Sequence, residues 1–385
     1  MKKLLIITIL ASFAGAAYWY LRPAPLPNFG PLYREYAYVS NGRSNSVSVI
    51  DLRTYRPAAT IPVGNDPTGV TANPKRNEIY VVNSGSHNVS VIDAEQNRVV
   101  ATIGVHGRPF FLDLSPDGRF GYVANSASNN LSVIDFDRRA VIATVQVGTQ
   151  PGKARVAADG KTIVVANRGD NTVSLVDAAK NTVRSSVKVC QGPEDVVILP
   201  DSAKAFVSCS ASNQVAAVDL TNARLLALLD VGRTPIHLAL KPDGGELAVS
   251  DFDGDSISVI ETGTNEVSNS FLIGNKPARA LVSSDNSLLY VSNFGSNTVA
   301  VYDFDFGRLV QTIAVGTQPD SLALTPDQNH LLVLNSASGD VTVIQHRTKL
   351  KKDQKEYWVM TMVPVGLGPN DIAVKTFTLK PRLPE

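Results

Sequence analysis

Tyr38-Val39-Ser40-Asn41, a polar turn from Gly42 to Asn45, then Val47-Ser48-Val49-Ile50-Asp51 is the stretch that decides the fold, because the chain repeats it. The pattern returns at 80–93 and 122–135, and with substitutions at 164–177, 206–219, 247–261, 290–303 and 332–345. Its asparagine column reads Asn41, Asn83, Asn125, Asn167, Cys209, Asp251, Asn293 and Asn335, each 42 residues after the last. A fixed period near 40, built from short alternating apolar runs, is the signature of a propeller or solenoid. Each repeat holds four such runs, for example 68–72, 78–83, 88–93 and 98–103. They are short, Val-rich and separated by turn residues, which predicts one four-stranded blade, strands a to d, per repeat. Turns such as Pro116-Asp117-Gly118 and Pro242-Asp243-Gly244 join a to b and suit type I geometry.

A second column counts the blades. Pro67, Pro109, Pro151, Pro193, Pro235, Pro277 and Pro319 follow at the same interval, and Pro369 comes after an eight-residue insertion. Seven complete blades result, leaving three strands at 36–61 and one at 370–377. Joined, they make an eighth blade that removes the sheet edges an open ring would expose. The expectation is an all-β, eight-bladed β-propeller over residues 36–377, one domain although 385 residues would ordinarily suggest two or three.

The flanks read differently. Lys2 and Lys3 precede an apolar run from Leu4 to Ala17 and the aromatic group Tyr18-Trp19-Tyr20, so residues 1–21 read as an export signal. Ala14-Gly15-Ala16 offers a cleavage site, whereas residues 4–21 are also long enough to stay as a membrane anchor. No Cys near the signal provides for lipidation. Residues 22–35 hold Pro23, Pro25, Pro27 and Pro31 and form an extended linker, and 378–385 a short tail. The expected location is the periplasm or the cell exterior, with a tether to the inner membrane if the signal is retained. Charged residues are 18% of the chain, against about 25% in an average protein, and net charge is +1. Such a balance carries no footprint for nucleic acid. A monomer is expected.

Repeated Tyr-Val-x-Asn followed by Asn-x-Val-Ser-Val-Ile-Asp resembles the YVTN family of β-propellers over residues 36–376. That resemblance implies the fold, and for function it implies only a binding or surface role. Eight blades also resemble the d-type haem domain of periplasmic nitrite reductases and the proteins of d-type haem assembly. This second resemblance implies a tetrapyrrole cofactor and places His237, at the start of an inner strand, as an iron ligand. A Cys-x-x-Cys-His motif is missing, which excludes the covalent c-type haem of a complete nitrite reductase.

Every blade has the Asn and Asp columns, so they read as turn-backbone partners rather than as a site. A site on a ring belongs where blades disagree. Two residues after the repeating Pro the chain places Gly69, Phe111, Lys153, Asp195, His237, Arg279, Ser321 and Asp371, while the next position is apolar in all eight blades. Alternation turns the variable column toward the central channel, at the face carrying the d-to-a loops. Lys153, His237 and Arg279 offer donors to an anion, Asp195 and Asp371 supply acid, and Phe110 with Phe111 an aromatic wall. Glu194, Asp320, His106 and Arg168 lie nearby. The competing account is a watery channel mouth that tolerates polar residues, with Lys153 and Asp195 as a partly solvated ion pair.

No nucleophile elbow, phosphate loop, dinucleotide fingerprint, zinc spacing or calcium loop occurs, so neither an enzymatic class nor a metal is assigned. Cys190 and Cys209 replace the recurring Gly and Asn of one blade, at neighbouring strand ends, and are expected to form a disulfide. Two functions remain: an exported binding or scaffold propeller engaging a small anionic ligand or a protein partner at the channel mouth, or a carrier, assembly factor or redox protein for d-type haem. The basic segment around Lys349, Lys351 and Lys352 is expected on the face opposite the mouth, next to the linker.

Overall fold

The computed structural model describes residues 30–348 and 355–379. The expected export signal, the expected linker up to residue 29, the basic segment at 349–354 and residues 380–385 lie outside that range. Eight sheets of four antiparallel strands follow one another as expected. Seven are contiguous in sequence, at 67–104, 109–146, 151–188, 193–230, 235–272, 277–314 and 319–364, and are numbered one to seven below. The eighth is composite: the strand Pro369–Thr378 lies innermost beside Tyr33–Asn41, followed by Ser46–Asp51 and Arg56–Pro62. Residues Glu35–Thr376 form one compact unit. A second, small unit contains Gly30–Arg34 and 377–379, in which the Leu379 N–H donates to the Leu32 carbonyl at 2.9 Å.

Alternation explains the blades. In strands b and c nearly every residue is buried, as in Glu78–Asn83 and Asn88–Asp93, because both faces are covered by neighbouring blades. Strand d alternates exposed with half-buried residues, since it forms the rim. The core therefore lies between blades. Tyr80 of blade one stacks on Phe136 of blade two with centroids 3.7 Å apart, and Val82, Val91, Val123 and Ile134 close around them.

The Asp column behaves as read from the sequence. Asp93, Asp177, Asp219 and Asp303 each accept two backbone N–H bonds of the following turn. The Asn column differs from expectation. Its amides donate chiefly to side-chain oxygens of strand c, as Asn83 does to Asn88 and Ser90 at 2.8 and 2.9 Å, and Asn167 to Thr172 and Ser174. The reason is reach: the residues five and seven positions on, in strand c, place hydroxyl or amide oxygens beside the Asn amide. In most blades a loop glycine also lies against the column, and a Cβ at Gly148 would lie 2.6 Å from the Asn167 amide.

In blade four that pair is Cys190 and Cys209, which form a disulfide with Cα atoms 5.7 Å apart.

Candidate functional site

Inner strands have one edge hydrogen-bonded to strand b and one edge turned to the ring axis with no strand beside it. Buried N–H and C=O groups there need other partners. Three of the charge-capable members of the variable column supply them to the next blade. Asp195 Oδ2 accepts the Leu238 N–H at 3.2 Å, His237 Nδ1 the Ala280 N–H at 3.3 Å, and Asp371 Oδ2 the Val70 N–H at 3.0 Å. Asp113, one layer deeper, accepts the Val156 N–H at 2.9 Å, and Thr68 and Thr71 donate to Phe110 and Leu112 carbonyls at 3.0 Å. These side chains are braces between blades, a role that the sequence reading did not assign to them.

A cavity of about 370 Å³ opens at this place, lined by residues from seven of the eight inner strands. Phe110, Phe111, Lys153, His237, Arg279 and Asp371 from the expected set all line it. Asp195 does not. It lies 1% exposed behind Lys153, whose ammonium donates to its Oδ1 at 3.0 Å. The pair is buried rather than partly solvated, because Phe111 and the neighbouring inner strands close over it. Arg168 is outside the cavity wall as well: it pairs with Glu194 on the rim of the mouth.

Burial and charge set the protonation states. Burial works against an ionised Asp195, yet Lys153 and the surrounding cations hold its carboxyl well below the usual range. Burial, reinforced by Arg279, lowers the His237 imidazole well below its ordinary value, so the ring is neutral at pH 7. Burial also raises Asp371 and Asp320, with Arg279 opposing both shifts.

His237 does not fit an iron ligand. Its Nδ1 accepts the Ala280 N–H, so the proton of the neutral ring is on Nε2, which stands 3.8 Å from Asp195 Oδ2. Neither nitrogen presents a free lone pair to the cavity. Among the described residues no cluster of three His, Cys, Asp or Glu side chains could hold a metal ion.

Arg279 is the exception in the column. Its backbone N–H donates to Ser292 Oγ, but the half-buried guanidinium has no hydrogen bond or ion pair among the described residues. Sequence reasoning missed Arg155, which lines the cavity two residues beyond Lys153, lies over Phe111 at 4.6 Å and reaches Asp113 only at 3.9 Å. The same alternation that selected Lys153 would have found it. The floor is apolar on the opposite side, at Ala239, Leu281 and Leu322.

A family model described as a YNCE-like β-propeller matches residues 120–310, and one described as a seven-bladed lactonase β-propeller matches 260–365. No curated protein matches the chain. Among solved structures, Kuenenia stuttgartiensis hydrazine synthase is similar with a TM-score of 0.59 and 24% identity, over 74% of this chain and 97% of that one. Dihydro-heme d1 dehydrogenase NirN in complex with DHE gives a TM-score of 0.73 at 16% identity, over 91% and 77%. A functionally unknown protein from Desulfotomaculum acetoxidans gives 0.60 at 17%, over 88% and 98%. At these identities the likeness is one of fold, and the lactonase description counts one blade fewer than the ring has. The chain is an eight-bladed β-propeller whose repeats resemble the YVTN type and whose residues 120–310 are similar to YNCE-like propellers.

Proposed function

We propose that the protein is an exported binding propeller that holds a small carboxylate-bearing ligand at its channel mouth, with Arg279 as the anchor. The observation that carries this reading is the unpartnered guanidinium of Arg279 in the cavity wall. A half-buried guanidinium presents a planar fork of donors, and a carboxylate is the acceptor that matches it with two parallel bonds. Lys153 and Arg155 add positive potential, and Phe110, Phe111 and Leu281 offer apolar surface to the rest of the molecule.

A tetrapyrrole is the second reading, supported by the likeness in fold to a protein titled dihydro-heme d1 dehydrogenase. Basic groups of the cavity suit the acidic side groups of such a ring, but His237 is committed to Ala280 and supplies no axial ligand. A Soret-region band in protein purified from its native host would favour this reading over the first.

The test is calorimetric titration with citrate and with benzoate as probes. Binding is expected, weakened at least tenfold in Arg279→Ala, which corresponds to about 1.5–3 kcal/mol for lost charge-assisted hydrogen bonds. Binding that survives both Arg279→Ala and the double change with Arg155→Ala would overturn the anion reading and favour a protein-docking propeller.

A further inference from the structure

The outer strand of blade four, Arg224–Asp230, reads Arg-Leu-Leu-Ala-Leu-Leu-Asp. Leu225, Leu226 and Leu228 are 37%, 37% and 45% exposed along this rim. An exposed apolar edge strand is a template for pairing with another chain, and proteins usually blunt it with charge, proline or a bulge. All eight outer strands carry a bulge, at the third residue in seven of them and at Met360 in blade seven, so the bulge does not set blade four apart. One column does. Arg56–Pro62 carries Pro57 and Pro62, Thr182–Lys188 carries Arg184 and Lys188, and the column of Leu228 is Thr or Ser in six of the other seven blades. Like Arg98–Gly104, Ala140–Gln146, Glu266–Leu272 and Arg308–Ala314, blade four has neither charge nor proline between its terminal residues, but it alone of these five puts a leucine in that column.

Its terminal residues are opposite in charge, and no other outer strand shares this feature. Leu226 is the bulged residue, so two copies of the strand laid antiparallel about the Ala227–Leu228 peptide put Arg224 against Asp230 of the second copy at both ends, and Ala227 against Leu228 between them. The charges are available for this. Arg224 uses only its Nε, toward Asp219 at 3.4 Å, and Asp230 accepts one bond, from Gln214 at 2.9 Å.

We propose that this rim is a self-association surface whose occupant is a second copy of the chain, related by a two-fold axis between Ala227 and Leu228. Such an interface is isologous, as closed dimers require. Seven residues a side fall short of the roughly 1,200 Å² that stable interfaces bury, so the dimer is weak and depends on concentration.

Sedimentation equilibrium of the full chain over the micromolar range tests it. A reversible monomer–dimer equilibrium is expected. Leu228→Thr, which installs the residue the other blades carry, should shift it to monomer with an unchanged melting temperature. Arg224→Asp and Asp230→Arg should each weaken the dimer at least tenfold, and the double variant R224D/D230R should restore it. A monomer at all concentrations overturns the proposal, as does a dimer indifferent to these changes. Failure of the double variant to restore association overturns the antiparallel arrangement.

Discussion

The ammonium of Lys153 donates to the carboxylate of Asp195 at 3.0 Å, across the boundary between two adjacent blades and with both residues buried. Asp195 also accepts the N–H groups of Val196 and Leu238, so one carboxylate ties together three inner strands. Breaking a buried pair by removing one partner leaves the other charge uncompensated, at a cost of about 3–5 kcal/mol. Asp195→Ala is expected to lose that much in urea unfolding. The double variant Lys153→Met, Asp195→Asn should recover more than half, because no charge is stranded and one acceptor remains.

Asp251 occupies the Asn column, where the hydroxyls of Ser256 and Ser258 donate to it at 3.2 and 2.7 Å while its Oδ1 has no partner. Burial raises its pKa to about 6. A carboxyl whose pKa rises on folding stabilises below its unfolded value, near 4, and that contribution is lost as pH rises through about 6. Asp251→Asn, the residue of six other blades, should therefore be more stable than wild type at pH 7, by on the order of 1–3 kcal/mol. The advantage should shrink toward pH 4 in thermal melts. A constant difference across that range would refute the assignment.

The disulfide of blade four closes a loop with a sequence separation of 19. Its reduction is expected to lower stability by about 3 kcal/mol. Cys190→Gly with Cys209→Asn rebuilds the pair found in neighbouring blades and should recover much of the loss. Cys209→Asn alone should be worse than the double variant, because the Cβ of residue 190 meets the new amide, as one at Gly148 would meet Asn167. Denaturation midpoints of the three proteins decide this.

His237 should resist protonation. Burial keeps its pKa well below the ordinary value, and the Ala280 N–H fixes the proton on Nε2. Nitrogen-15 NMR is expected to show a single neutral tautomer at pH 6, and a ring protonated at that pH would contradict the geometry.

The ring was legible in the sequence because a repeat states the same local solution eight times, and the Pro and Asn columns count blades without reference to contacts. The channel column was legible for the same reason in reverse, since that position varies in charge from blade to blade while the next one is apolar in all eight. What the repeat does not encode is what each varied side chain meets across a blade boundary. Asp195, His237 and Asp371 read as ligand groups on their own strands, and became braces only when the N–H of the next inner strand was found 3.0–3.3 Å away. Arg168 was misplaced because loop residues follow no two-residue alternation. Arg155 was overlooked because the comparison stopped one layer too high.

The composite blade gives the ring a seam in time as well as in space. Ser40 donates to Asn370 Oδ1 at 2.6 Å across a sequence separation of 330, and the Gly42 N–H donates to the Gly368 carbonyl beside it at 2.9 Å. Elsewhere the inner strand meets its sheet neighbour at far shorter separations, 13 for Asp195 and Ser208. The entropy of closing a loop grows only with the logarithm of its length, so joining the seam costs about 3 kcal/mol more than joining the inner strand of an ordinary blade. At a synthesis rate of roughly 5–20 residues per second, the inner edge of Tyr33–Asn41 waits on the order of 15–65 s for its partner strand to be made. For that interval the first strand of the chain is the last to be satisfied, and a newly made propeller is an open crescent whose two ends must be kept from other chains until they find each other.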